Sequence, residues 1–173
     1  MHPRPREIFQ IYALIVWLVY TWTAVVFLSQ LGALVAMLDI GDVLSVLAYA
    51  FSYDFFESLL ILLILLGAVA ILPARYLRDK FVLSGSCILA ITASWAILFQ
   101  LSYLDFTRLL PGQMLGWVGL SLASLGGALI LAPRVPRLDE ICMDIAERAT
   151  IFPYIYVPAS LISLLVVLAR NLI

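Results

Sequence analysis

Charge is scarce in this 173-residue chain: 12% of residues are Asp, Glu, Lys or Arg, 65% are hydrophobic, and Ile8 to Leu38 passes 31 residues with no charge. So little polar surface cannot coat a water-soluble globule, and lipid must solvate most of the molecule. Histidine is nearly absent. The single His2 precedes the first apolar run, which excludes axial His ligation of haem within the membrane, an intramembrane His-based metal site and a His-dependent serine hydrolase. No Gly-rich phosphate loop and no carboxylate cluster of metal-binding spacing stands in for these. Catalytic, cofactor and metal residues are therefore expected to be none. Basic excess is missing as well: the net charge is −1, so no basic stretch neutralises phosphates and no nucleic-acid partner is expected. Only two cysteines occur, Cys87 in an apolar run and Cys142 in a charged connector. They make no C-x-x-C, are expected at different depths, and imply no disulfide framework.

What is present is apolar sequence in long runs, with a mean hydropathy of +1.12. A helix rises about 1.5 Å per residue and the hydrocarbon core is roughly 30 Å thick, so about 20 apolar residues cross it. Uncharged windows give spans at approximately 8–32, 53–74, 81–104, 112–132 and 150–171. The first is too long for a signal peptide and reads as a retained span. The fold class is all-α: one integral membrane domain over residues 1–173, a polytopic transmembrane helix bundle of five spans. Residues 33–51 are expected to form an outer interfacial or re-entrant segment, with Asp42 as an N-cap.

Positive charge orients the bundle. Arg4 and Arg6 precede the first span, Arg75, Arg78 and Lys80 occupy the second connector, and Arg134, Arg137 and Arg148 the fourth; these are eight of the ten basic residues. The bias predicts a cytoplasmic N-terminus and an outer C-terminus, most simply in a bacterial plasma membrane. Arg75, Arg78 and Lys80 would anchor that face and could meet lipid phosphates.

Several residue groups are candidates for binding. Gly112, Gly116, Gly119, Ala123 and Gly126 fall on one face of the fourth span, and small residues let helices approach closely in lipid. The plain reading is packing against the chain's own spans, and the functional one is docking to a partner or a second copy. Asp54 and Glu57 fit a capping box at the start of the second span and are expected near the outer boundary, where Arg170 could pair with either. After Pro136, apolar residues recur at helical spacing while Asp139, Glu140, Asp144 and Glu147 face elsewhere, which predicts a short cytoplasmic amphipathic helix. Its acids would lie beneath the bundle or offer a partner surface. Pro153 and Pro158 are expected to bend the start of the fifth span. Trp17, Tyr20 and Trp22 lie deep enough in the first span to be buried against protein.

The expected function is that of a small multi-pass accessory or scaffold subunit acting by binding, with membrane lipids and another membrane protein or a homo-oligomer as partners. One alternative is binding or transport of a lipid or small apolar molecule in a lateral cavity between the fourth and fifth spans. Another is an anchor for a separate outer-face enzyme.

Overall fold

A computed structural model describes residues 3–71, 80–102 and 111–172. Among them there is no strand. Helix α1 runs from Pro5 to Met37, α2 from Ile40 to Ile71, α3 from Phe81 to Ser102, α4 from Pro111 to Leu131, α5 from Pro136 to Ala149 and α6 from Ile151 to Leu172, with a 3-10 turn at Ala132–Arg134. Among the described residues four helical stretches are long and apolar enough to cross a membrane: Pro5–Met37, Ile40–Ile71, Phe81–Gln100 and Arg137–Leu172. In the last of these α6 is the apolar part. A shorter apolar stretch, Leu115–Leu131, belongs to α4. The all-α membrane bundle expected from the apolar windows is therefore present.

Each boundary has a local cause. Pro5 opens α1, where a missing amide costs nothing, and the Arg4 amide is satisfied by Glu7 Oε2 at 3.0 Å. At the far end Leu38 turns extended, and the Asp39 carbonyl accepts the amides of Asp42 and Val43 at 2.9 and 3.0 Å. The chain thus reverses within two residues. Residues 33–51 accordingly differ from the expected interfacial piece: they close α1 and open α2. Helix α1 runs on past residue 32, the expected end of the first span, and Asp42 sits in the first turn of α2 rather than capping it. The polar residues of α2 do not interrupt it because their hydroxyls bond within the helix: Ser45 and Ser52 donate to the carbonyls of Gly41 and Ala48, each at 2.8 Å. With 33 and 32 residues, α1 and α2 are each about 50 Å long, so they tilt or project beyond a hydrocarbon core of about 30 Å.

Helix α1 is the centre of the bundle and packs against α2, α3, α5 and α6; α2 lies against α6, and α4 rests on α3 at the edge. The tightest packing is at the end where α1 starts, around Ile11, Ile15, Leu65, Phe81 and Val82. Gly85 lets α3 approach α1 there, since a Cβ at that position would stand 2.8 Å from Ile11 Cδ1 and 3.5 Å from Leu65 Cδ2. Ser84-Gly85-Ser86 is thus a small-residue packing site. Pro153, in the first turn of α6, removes an amide that has no intrahelical partner. Pro158 lies inside α6 and removes the amide that would otherwise reach the Tyr154 carbonyl.

Candidate functional site

Three polar features and one apolar face stand out. Midway along the bundle, α1, α2 and α6 enclose a buried polar line. Tyr20, 1% exposed, shares a 2.5 Å hydrogen bond with Ser160, and its ring stacks on Tyr156 at 4.5 Å between centroids. One turn further along α1, Thr23 donates to Asp54 Oδ1 at 2.8 Å. Asp54 is 3% exposed, and its Oδ2 has no hydrogen-bond partner among the described residues. The pairing expected between Asp54 or Glu57 and Arg170 is not made. Arg170 instead reaches Asp42 Oδ1 at 2.7 Å and bonds the Ser45 hydroxyl, while Tyr49 donates to Asn171 Oδ1 at 3.0 Å. The reason is the unbroken α2: Asp54 follows Asp42 by 12 residues, about 18 Å along the axis, which carries it deep into the bundle and away from the end of α6. For the same reason Asp54 and Glu57 form no capping box. A clamp between α2 and the last helix does exist, but Asp42 makes it.

At the opposite end, α5 is tied beneath the bundle. Arg6 pairs with Glu147 and Lys80 with Asp139, both at 2.9 Å, while Asp144 is held by Arg148 one turn on at 3.0 Å. Of the four acids considered for a partner, three thus neutralise basic residues of this chain. Glu140 is exposed and unpaired among the described residues. Ala146 and Ala149 are buried against the bundle, so packing beneath the chain's own helices is what α5 does. Lys80, a candidate for lipid phosphate, is taken by Asp139; Arg75 and Arg78 lie outside the described residues.

The small-residue face of α4 points the other way. Gly116, Gly119, Ala123 and Gly126 are all exposed, and a Cβ built on any of the three glycines would meet nothing within 4 Å among the described residues beyond its chain neighbours and the local backbone of its own helix. Gly112 opens the same face in the first turn. Packing of this face on the chain's own spans is therefore not what the fold uses it for. Contact with α3 falls on the far side of α4, where Trp95 donates to Ser124 Oγ at 2.8 Å and its ring meets Trp117 edge-on at 5.0 Å. At 100° per residue the two faces are roughly 130° apart. Aromatic anchors of α3, invisible as a pairing signal in the sequence, decide which side of α4 turns inward.

An apolar groove of about 440 Å³ lies between α3 and α4, lined by Trp95, Phe99, Trp117, Val118 and Leu125 among others. Among the described residues α4 packs on α3 rather than on α6, so this groove lies on the α3 side of α4 and not between the fourth and fifth spans, where a lateral cavity was expected. Of the first span's deep aromatics, Tyr20 is buried, Trp17 is half-buried and stacks on Phe152 at 6.3 Å, and Trp22 is 38% exposed. Among the described residues no group of His, Cys, Asp and Glu is placed to hold a metal ion. Comparison with protein-family models, with curated proteins and with solved structures finds no match to this chain.

Proposed function

We propose that this chain is an accessory subunit of a membrane complex and acts by binding, with α4 as its docking helix for a transmembrane helix of another membrane protein. The observation that carries this reading is the exposed face Gly116–Gly119–Ala123–Gly126, whose three glycines meet no neighbouring element among the described residues. Helix association in lipid gains little from the hydrophobic effect and depends on close backbone approach; a four-residue small-residue repeat left open at the rim of a bundle supplies that approach. In this reading α4 is the fifth crossing. The excess of basic residues ahead of α1, between α2 and α3, and around α5 supports a cytoplasmic N-terminus and an outer C-terminus in a bacterial plasma membrane.

The test is chemical cross-linking in the native membrane followed by native mass spectrometry after gentle solubilisation. The wild-type chain should be recovered with a second polypeptide, and Gly116→Leu/Gly119→Leu should release it while leaving the monomer's thermal transition unchanged. Recovery of homo-oligomers would make the partner a second copy. Lone monomers from both forms would overturn the proposal.

The groove between α3 and α4 supports a second reading, binding of a lipid or other apolar molecule, since two indoles and a phenyl ring line an opening at the lipid-facing edge. A ligand seated there should quench Trp95 and Trp117 fluorescence, and Trp117→Ala should abolish the response.

A further inference from the structure

Among the described residues Asp54 is the one acid buried inside the bundle, and docking through α4 makes no use of it. It is 3% exposed, and Thr23 donates to its Oδ1 at 2.8 Å while Oδ2 has no hydrogen-bond partner among the described residues. An ionised carboxylate offers about four acceptor sites and no donor, so a buried one needs several donors or a cation beside it. Neither is at hand. Ser52 and Ser58, buried on the same helix, give their hydroxyls to the carbonyls of Ala48 and Phe55, each at 2.8 Å, and Tyr20 and Ser160 share one hydrogen bond with each other. Cations stand further off. The three enclosing helices carry two basic residues, Arg6 in α1 and Arg170 in α6, and each is ion-paired at an end of the bundle, to Glu147 and to Asp42. Helices α3 and α4 contain no charged residue. The titratable groups nearest in the packing are Tyr20 of α1 and Tyr156 of α6, stacked on each other, and Glu57 one turn further along α2. None of them supplies positive charge.

We propose that Asp54 is an exchangeable proton-binding site inside the membrane, with Oδ1 as the carbonyl oxygen held by Thr23 and Oδ2 as the oxygen that carries the proton. The contacts match that division: the oxygen that accepts a hydrogen bond is the one a carboxylic acid keeps as its acceptor, and the bare oxygen is the one it uses as hydroxyl. A bound proton makes the group neutral, and a neutral hydroxyl without a partner costs far less in an apolar interior than an unpaired charge. A metal cation suits the place less well. Ions such as Ca2+ and Mg2+ gather about six to eight oxygens, whereas one side-chain oxygen, that of Thr23, bonds this carboxyl, and no metal-holding group of His, Cys, Asp and Glu occurs among the described residues. On release the O–H bond breaks, its electron pair stays on Oδ2 and the proton passes to water. The charge left behind lies between α1, α2 and α6 with no cation to offset it, so proton binding favours the close packing of these three helices and release opposes it. Acids inside membrane bundles commonly serve proton and ion pathways. This inference is independent of the docking face on α4.

The experiment records infrared spectra of the full chain in lipid vesicles at neutral pH. Water-exposed carboxyl groups are ionised there, so the C=O stretching band of a carboxylic acid reports a protonated group held away from water. Wild type should show such a band. It should shift down in deuterium oxide, as exchange with solvent replaces O–H by O–D, shift up in Thr23→Val, which frees the C=O oxygen from its hydrogen bond, and vanish in Asp54→Asn. Aspartate labelled with heavy carbon should displace the wild-type band, which keeps the assignment testable if Asp54→Asn does not fold. Absence of the band from wild type, its persistence in folded Asp54→Asn, or indifference to the aspartate label would overturn the proposal. A band unmoved by deuterium oxide would overturn it too, because that acid would be sealed from the solvent's protons. Loss of the band when sodium replaces choline at constant pH would make a metal cation the occupant instead.

Discussion

Tyr20, Thr23, Asp54 and Ser160 are polar groups that cannot reach water from where they sit, and each therefore depends on its partner. Hydrogen bonds between membrane helices contribute about 0.6 kcal/mol on average and up to roughly 2 kcal/mol. Thr23→Val takes away the donor that holds Asp54 Oδ1, in a carboxyl group whose other oxygen is already unpartnered. It should destabilise by about 1–3 kcal/mol, because the cost is that of a buried acceptor left bare; Thr23→Ser should restore most of it, as read by thermal unfolding in detergent. Tyr20→Phe should cost less, about 0.5–1.5 kcal/mol, since Ser160 can turn its hydroxyl to a carbonyl of its own helix. The Arg170–Asp42 pair behaves differently because its side chains are 50% and 46% exposed. Exposed pairs contribute about 0–1 kcal/mol, so Arg170→Glu should lower the midpoint of unfolding only slightly, and Asp42→Arg/Arg170→Asp should return it to the wild-type value. A large loss from Arg170→Glu, unrelieved by the exchange, would show that the arginine does something other than clamp α6 to α2.

At the scale of elements, the contact between α1 and α3 turns on one position. Gly85→Ala places a methyl 2.8 Å from Ile11 Cδ1, the movable end of a side chain, while a helical alanine gains about 0.5–1 kcal/mol over glycine. The two effects offset, and the stability of this variant should stay within about 1 kcal/mol of wild type. Gly85→Leu has no such escape between Ile11 and Leu65 and should cost about 1–3 kcal/mol through overpacking. Helix-scale features were unequally legible in the sequence. The amphipathic α5 was, because its acids and its apolar residues alternate at a helical period. The start of α2 was not: Asp39, Gly41 and Asp42 resemble a loop by composition, yet a two-residue reversal suffices, and Ser45 and Ser52 satisfy themselves within the helix. Counting charges places a segment in or out of lipid, but a helix can project past the lipid and keep its hydrogen bonds.

For the molecule as a whole, the ion pairs define two ends. Arg6, Lys80, Asp139 and Glu147 gather where α1 and α3 begin, and Asp42 and Arg170 meet where α1 has ended and α6 ends. Arg6 and Arg170 therefore lie at opposite ends of the bundle. The topology proposed above predicts that protease sites added at the two termini are cut from opposite sides of sealed vesicles, the N-terminal one from the cytoplasmic side; cleavage of both from one side would overturn it. Little of the spans is covered by the chain itself, 33% of the apolar window in α1 and 11% in the one that falls in the last helix. That leaves most of the apolar surface of these windows uncovered by the rest of the described chain.

Hydropathy and charge position alone determined that this protein is a helical membrane bundle, because the partition of 20-residue apolar stretches into hydrocarbon depends on each segment by itself. Which face of α4 turns outward and which acid meets Arg170 were decided only by tertiary structure. Those outcomes depend on how helices rotate about their axes, and rotation is set by contacts such as Trp95 with Ser124 and Lys80 with Asp139, between residues that no local pattern connects.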